Sequence, residues 1–328
     1  MRQFRRSGPR ERQQQAAPKP FDFVPLPSRV NRKRPIGHDR YRETDTHTTG
    51  KVIGTITALS PVYIGSGIID IGQDVELIKT AVRTGGNVVI PGSSLKGAIR
   101  SVVEAISESC VCKVSRNTRY AMPRDFSECR QKDRLCVSCR MFGAMGFQSN
   151  IAIQDAPRID GQTVTKYVPE LYRPRQQRGI KHIPGRKFYK HGEVATGETP
   201  VEACEKGSKF RFVVQVDNLT QAEWGLFLTA LGHHTAHPFK IKIGGAKPAC
   251  FGSIDIEIDE VQIEEQNQQR YLDWNIQSES ARIGEQLETW KSECIDAAMN
   301  SLIQRDLLTK LAEILSYPNE RSCPSGLY

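Results

Sequence analysis

Ile90–Arg100 reads IPGSSLKGAIR, and the rest of the chain is parsed from this stretch. A Pro-Gly turn followed by two serines opens a helix that runs to about Glu108, with Ile99, Val102, Val103 and Ile106 on one face at the spacing of a core-facing helix. A helix N-terminus presents free backbone N–H groups. With Ser93, Ser94, Lys96 and Arg100 beside them, these groups form a candidate phosphate seat. The plain alternative is a capped helix in which Ser93 or Ser94 satisfies its own first turn. A nucleotide P-loop is excluded, because its Lys and Ser or Thr are required after Gly97, where Ala98 and Ile99 stand.

Working outward, Lys51–Leu59 alternates as a strand through Val52, Gly54, Ile56 and Ala58. A glycine-rich loop, Tyr63–Gly72, and an extended piece, Asp74–Thr80, lead through the turn Thr84-Gly85-Gly86-Asn87 into the helix. Asp70 and Asp74 are the carboxylates best placed for chemistry in this region. Downstream, Ile151–Gln154 and Ser208–Val216 read as strands, Gln221–His233 as a helix and Ser253–Ile258 as a last strand. The order is βαββαβ-like, which predicts an α+β, ferredoxin-like sheet with helices on one face. Two insertions interrupt it, at about 110–146 and 160–200. Residues 1–48 are rich in Arg, Gln and Pro and are expected as a basic, extended arm. The main domain is expected over 49–260. Residues 261–328 are expected as a helical C-terminal appendage anchored by Trp290, Ile295, Ala298 and Leu302.

Across 328 residues the net charge is +9 and the pI about 9.1, which favours a polyanionic partner, RNA or DNA before membrane. No long apolar run is present, and MRQFRRSGPRERQQQ has no apolar signal core, so a cytoplasmic protein is expected. Nine cysteines in a reducing compartment point to metal ligation or plain thiols rather than disulfides. Cys136-x-x-Cys139, with Cys129 and Cys112 upstream, has the spacing of a tetrahedral structural zinc site, Cys110 being the alternate first ligand. Such a metal would hold an insertion that has few apolar residues of its own. Cys204, Cys250, Cys294 and Cys323 read as plain residues.

Lys181–His191 (KHIPGRKFYKH) mixes Lys181, Arg186, Lys187 and Lys190 with Phe188 and Tyr189, a texture suited to single-stranded nucleic acid, or to a solvated basic hairpin. Gly244, Gly245 and Lys247, in GGAKPACFG, allow a backbone to approach a sugar-phosphate chain; a helix-to-strand turn would also want these glycines. His233, His234 and His237 are expected as helix C-terminal cations rather than metal ligands. No G-x-S-x-G or H-E-x-x-H signature is present.

FDFVPLP at Phe21–Pro27, YIGSG at Tyr63–Gly67, IPGSSLKGAIR, CRMFG at Cys139–Gly143, GRKFYKH and the glycine loop before the last strand together resemble the RAMP superfamily. More narrowly they resemble the backbone subunits of type III CRISPR effector complexes, over about residues 20–260. The resemblance implies a modified RNA-recognition fold with a thumb hairpin within 160–200. It further implies a guide RNA along a basic groove, neighbouring subunits stacked beside it and a complementary target RNA. In many such subunits a loop Asp cleaves the target. Asp74 is the matching position and Asp70 the fallback, with Mg2+ or another divalent cation assisting 2′-hydroxyl attack. The short loop, the long arm and the C-terminal helices depart from simpler backbone subunits and leave a non-catalytic RNA holder as an alternative. A zinc-stabilised RNA-binding protein outside CRISPR is the other.

Overall fold

The computed structural model describes residues 20–36, 46–72, 74–112, 122–170, 183–264 and 279–324. In chain order the strands are β1 (Phe21–Val24), β2 (His47–Ala58), β3 (Gly65–Asp70), β4 (Ile78–Ala81), β5 (Arg83–Thr84), β6 (Asn87–Ile90), β7 (Ile151–Ile153) and β8 (Ala156–Asp160). They continue as β9 (Thr163–Val168), β10 (Arg186–Tyr189), β11 (Thr199–Cys204), β12 (Lys209–Thr220), β13 (Ile241–Lys242), β14 (Ser253–Glu264) and β15 (Glu279–Arg282). The α-helices are α1 (Gly92–Ile106), α2 (Val137–Phe142), α3 (Gln221–Ala230), α4 (Gly284–Met299) and α5 (Arg305–Ile314).

The fold is mixed α+β. Its main sheet runs β13-β14-β2-β12-β8-β6-β5, and the central pairs β14–β2, β2–β12 and β12–β8 are all antiparallel. Alternation dictates which face is buried: in β2 Val52, Ile56 and Ala58 face the core, and in β12 Phe210, Phe212, Val214 and Val216 do. Two long strands, β14 and β12, change parity along their length. A register shift between Ile258 and Glu260 lets Ile254, Ile256 and Ile258 give way to Val261 and Ile263 on the same buried face. One between Val216 and Leu219, where Asn218 has φ +52°, does the same for Leu219. One extra residue restores the apolar side where strict alternation would turn it to solvent.

Helix α1 buries Leu95, Ile99, Val102, Val103 and Ile106 as the spacing predicts. Helix α3 starts at a capping box in which Thr220 and Glu223 satisfy each other's backbone N–H groups. It stops at Ala230, ahead of the histidines, because Gly232 turns the chain at φ +96°. His233 and His234 are consequently not helix-end cations. Burial, with Lys291 nearby, pushes His233 down to about 4.

The C-terminal helices share the main core, to which Leu287, Trp290, Ile295, Leu307, Leu308 and Leu311 contribute. Trp224 and Trp290 meet edge-to-face with centroids 5.3 Å apart, and Gly225 lets α3 approach the Cys294 carbonyl of α4 where any Cβ would collide.

A second sheet, β3-β4-β11-β9, covers a smaller cluster that includes Val201, Ala203, Ala249 and Phe251. Two expectations are corrected here, the wholly extended arm and the plain Cys250 and Cys323 thiols. Strands β9 and β10 do not pair with each other: β9 lies on β11, whereas β10 pairs antiparallel with β1, setting Phe21 opposite Tyr189. Part of the expected arm is thereby built into the structure. Asn31 N–H donates to the Glu108 carbonyl at 3.0 Å and Lys33 pairs with Leu135, because this segment has main-chain partners that composition does not reveal. The remainder of the arm and the crest of the 160–200 insertion, including Lys181, lie outside the described residues. Finally, Cys250 and Cys323, expected as plain thiols, form a disulfide with Cα atoms 5.9 Å apart. The chain end returns beside Glu193, whose N–H donates to the Arg321 carbonyl at 2.8 Å.

Candidate functional site

The residues of IPGSSLKGAIR are largely occupied by the protein itself. Pro91 is the N-cap of α1 without a side-chain cap bond, and the Gly92 N–H donates to the Asp155 carboxylate at 2.8 Å. An internal anion thus takes the helix start that the sequence offers to a phosphate. Ser93 stays exposed and Ser94 half-buried. Lys96 reaches across to β7, donating to Ser149 Oγ at 2.7 Å and the Ile151 carbonyl at 2.8 Å, while burial and neighbouring Arg100 push its ammonium pKa down.

Arg100 is the hub of a buried network. Its Nε donates to Glu104 Oε1 at 2.8 Å, Nη1 to the Gly143 carbonyl at 3.0 Å and Nη2 to Cys139 Sγ at 3.3 Å. Glu104, 2% exposed, pairs through Oε2 with Arg186 of β10 at 2.5 Å. Arg100 and Arg186, both expected at RNA, are therefore turned inward. A carboxylate in the apolar run Val102-Val103-Glu104-Ala105-Ile106 is the signal that could have found this network, since so buried a charge needs partners.

Arg100 leads to the cysteines. Cys110, Cys129, Cys136 and Cys139 are buried, with their sulfurs all within 4.8 Å of one another. From Cys110 Sγ the separations are 3.5 Å to Cys139, 3.6 Å to Cys136 and 3.9 Å to Cys129. Four sulfurs held tetrahedrally about 2.3 Å from one ion lie about 3.8 Å apart, so the cluster fits a metal such as zinc. Mutual hydrogen bonding among the crowded thiols pushes Cys110 up and Cys129 down; a bound cation would let all four ionise. Cys112, expected as the first ligand with Cys110 as its alternate, is outside the cluster. Its N–H is held at 3.4 Å by Glu104, and Cys110 takes its place. Cys136 is the N-cap of α2 and Cys139 lies on its first turn, which gives the C-x-x-C pair its convergence.

The remaining basic candidates converge elsewhere. A cleft of about 100 Å³ between α1, β10, β13 and the glycine loop is lined by Lys187, Phe188, Tyr189, Lys242, Lys247 and Ser101, among others. Lys187 Nζ lies 3.6 Å from the Phe21 ring centroid and donates to Tyr189 Oη at 2.9 Å. Lys242, which sequence reading missed because it sits in an alternating strand, is 7% exposed and donates to the Lys190 carbonyl at 3.0 Å. Burial, with Lys247 and Arg321 close by, pushes it down to about 7, and burial also lowers Lys247. Among the described residues neither Lys242 nor Lys247 is in a salt bridge. Three ammonium groups on one small cleft are suited to an anion.

Gly244 and Gly245 serve a local purpose. At φ +73° Gly244 accommodates the Tyr63 carbonyl, which also accepts from the Gly245 N–H at 2.7 Å. Asp70 ends β3 and accepts from the Ile71 N–H at 2.8 Å; Asp74 follows in the next loop, and both are exposed.

Burial makes one stability prediction here. His191 Nε2 lies 2.8 Å from the Lys240 carbonyl, which can only accept, so Nδ1 accepts from Ser253 Oγ at 2.7 Å and the ring is neutral. Burial lowers its pKa to about 4. A base with a depressed folded pKa costs stability as pH falls below its ordinary value, here from about 6.5 toward 4. Replacing His191 by Asn is expected to flatten part of the acid limb of a denaturant titration between pH 7 and 4.

No described helix is long and apolar enough to cross a membrane. A family model for RAMPs, the RAMP superfamily, matches residues 55–254, more than half of the chain. No curated protein sequence matches it.

Proposed function

Since the chain belongs to the RAMP superfamily, we propose that it is a guide-RNA-binding backbone subunit of a type III CRISPR RNA-guided interference complex. The observation that carries the RNA-binding part is the cleft in which Lys187, Lys242 and Lys247 meet beside Tyr189. The type III part rests on the motif set from FDFVPLP to the glycine loop. The antiparallel order β14-β2-β12-β8, with α1 and α3 in the connections, supports reading the core as a ferredoxin-like, modified RNA-recognition fold. Partners in this reading are the guide, a complementary target RNA and neighbouring subunits in the cytoplasm, with the cysteine cluster holding a structural zinc.

The mechanism is one of electrostatic holding. Lys187 and Lys247 present charge to backbone phosphates, and Tyr189 offers a face for a base. Lys242, half-protonated near pH 7, gains its proton when a phosphate enters. Affinity for single-stranded RNA is therefore expected to rise as pH falls through about 7, and Lys242→Arg to flatten that dependence, both read by anisotropy at fixed salt. An affinity independent of pH in the parent protein would remove Lys242 from the interface.

A cleaving version adds Asp74, which is exposed. In a complex assembled on its guide with Mg2+, Asp74→Ala is expected to remove one target cut with guide binding intact. Cuts unchanged in both Asp74→Ala and Asp70→Ala would leave the chain as the non-catalytic holder.

A further inference from the structure

The lysine cleft is small and one-sided in charge. Its volume of about 100 Å³ is well below the roughly 300 Å³ at which pockets begin to take a whole small molecule, so it admits a group the size of one phosphate rather than a nucleotide. None of its lining residues is acidic. Lys242 is 7% exposed and spends one donor on the Lys190 carbonyl at 3.0 Å; a protonated ammonium has three, so two remain for an incoming oxygen. Lys247 lines the same space, and among the described residues no side-chain hydrogen bond or ion pair holds it. Lys187 is left out of this count, because it already donates to Tyr189 Oη. Arg321 adds to the field: its proximity helps to lower Lys242, and its Nη2 is buried without a hydrogen-bond partner. The cleft is backed by Ala98, Val102, Ile241 and Leu315, an apolar wall against which an unbalanced cation is costly.

Two ammonium groups in one water-poor space call for about two negative charges. An internal phosphodiester brings one. A terminal phosphomonoester brings about 1.5 to 2 at pH 7, on three free oxygens. We propose that the cleft recognises a strand end, Lys242 and Lys247 together holding a terminal phosphomonoester of RNA. The assignment rests on the RNA-binding reading above and deepens it: the cleft fixes where the strand ends as well as holding it. The small volume stops a base from following the phosphate inward, and the rest of the strand runs outward from the cleft.

The test uses the full chain and one single-stranded RNA sequence in three forms, with a 5′-phosphate, with a 3′-phosphate, or with hydroxyls at both ends. Affinities are read by anisotropy at fixed salt. A terminal phosphate is expected to tighten binding about tenfold over the hydroxyl form, and each end that does so is one the cleft accepts. In the double variant Lys242→Met, Lys247→Met, which keeps the apolar stems, that ratio is expected to fall to about one, with a thermal melt matching the parent as the check on folding. Lys247→Met alone, at the less buried position, is expected to lower the ratio as well. Equal affinities for all three forms in the parent would overturn the end site while keeping the RNA reading. A gain that persists in the folded variants would place end recognition elsewhere and overturn the assignment to these lysines. Failure of the parent to bind any form would overturn the RNA reading itself.

Discussion

Replacing Glu104 by Ala is expected to lower the unfolding free energy by about 3–5 kcal/mol, because it leaves two guanidinium groups buried without their carboxylate. Arg100 and Arg186 side chains are 15% and 14% exposed, and both address Glu104. The Coulomb attraction offsets desolvation only while all three charges are present. The change should appear as a shifted denaturation midpoint with an unaltered slope. Arg29–Glu108 is the internal control. Its guanidinium is 74% exposed, and Arg29→Ala should cost less than about 1 kcal/mol. Equal effects at the two sites would mean that the buried network contributes no more than a surface pair. A second readout separates loss of stability from loss of position. Arg186 precedes Lys187 on β10, so Glu104→Gln should weaken RNA binding even at temperatures where the variant is fully folded.

Cys110→Ser is expected to abolish metal binding, taking the protein from about one equivalent of zinc to none by elemental analysis, whereas Cys112→Ser keeps it. The asymmetry follows from position, since Cys110 Sγ touches the other three sulfurs and Cys112 faces Glu104. The melting transition of the Cys110 variant should fall steeply, because the insertion's small core is made almost wholly of these cysteines with Leu135. Metal retained in Cys110→Ser and lost in Cys112→Ser would restore the assignment read from spacing. Metal-free parent protein with an unchanged melt would remove the metal altogether.

The contrast between those two cysteines shows where sequence reading stops. Alternation predicted the strands containing Val52, Ile56, Phe210 and Phe212, because a two-residue period leaves one face to bury. The apolar stripe of α1 was equally legible. The C-x-x-C spacing pointed to a metal cluster, but choosing between Cys110 and Cys112 depends on where Glu104 holds the backbone, a tertiary fact. The bulges at Asn218 and after Ile258 had no local signal, and strict alternation would have ended each strand early.

The basic residues are the harder lesson. Lys96 and Arg100 look like phosphate ligands in sequence because they flank a helix start. In the fold the same side chains anchor β7 and the cysteine cluster, and Asp155 satisfies the helix amide. IPGSSLKG forms internal joints, while the cationic cleft draws on segments far apart in sequence, 187–189 and 242–247. Only pairing of β10 with β1 and of β13 with β14 brings them to one place.

The account stands most directly on the salt dependence of RNA binding by the parent protein and by the Lys187→Ala, Lys247→Ala double variant. Plotting log K against log salt, the parent is predicted to show a steep negative slope and the double variant a slope shallower by about 1.4, two single-strand phosphate contacts at about 0.7 each. Equal slopes for the two proteins would contradict the assignment of this cleft as the place where RNA is held.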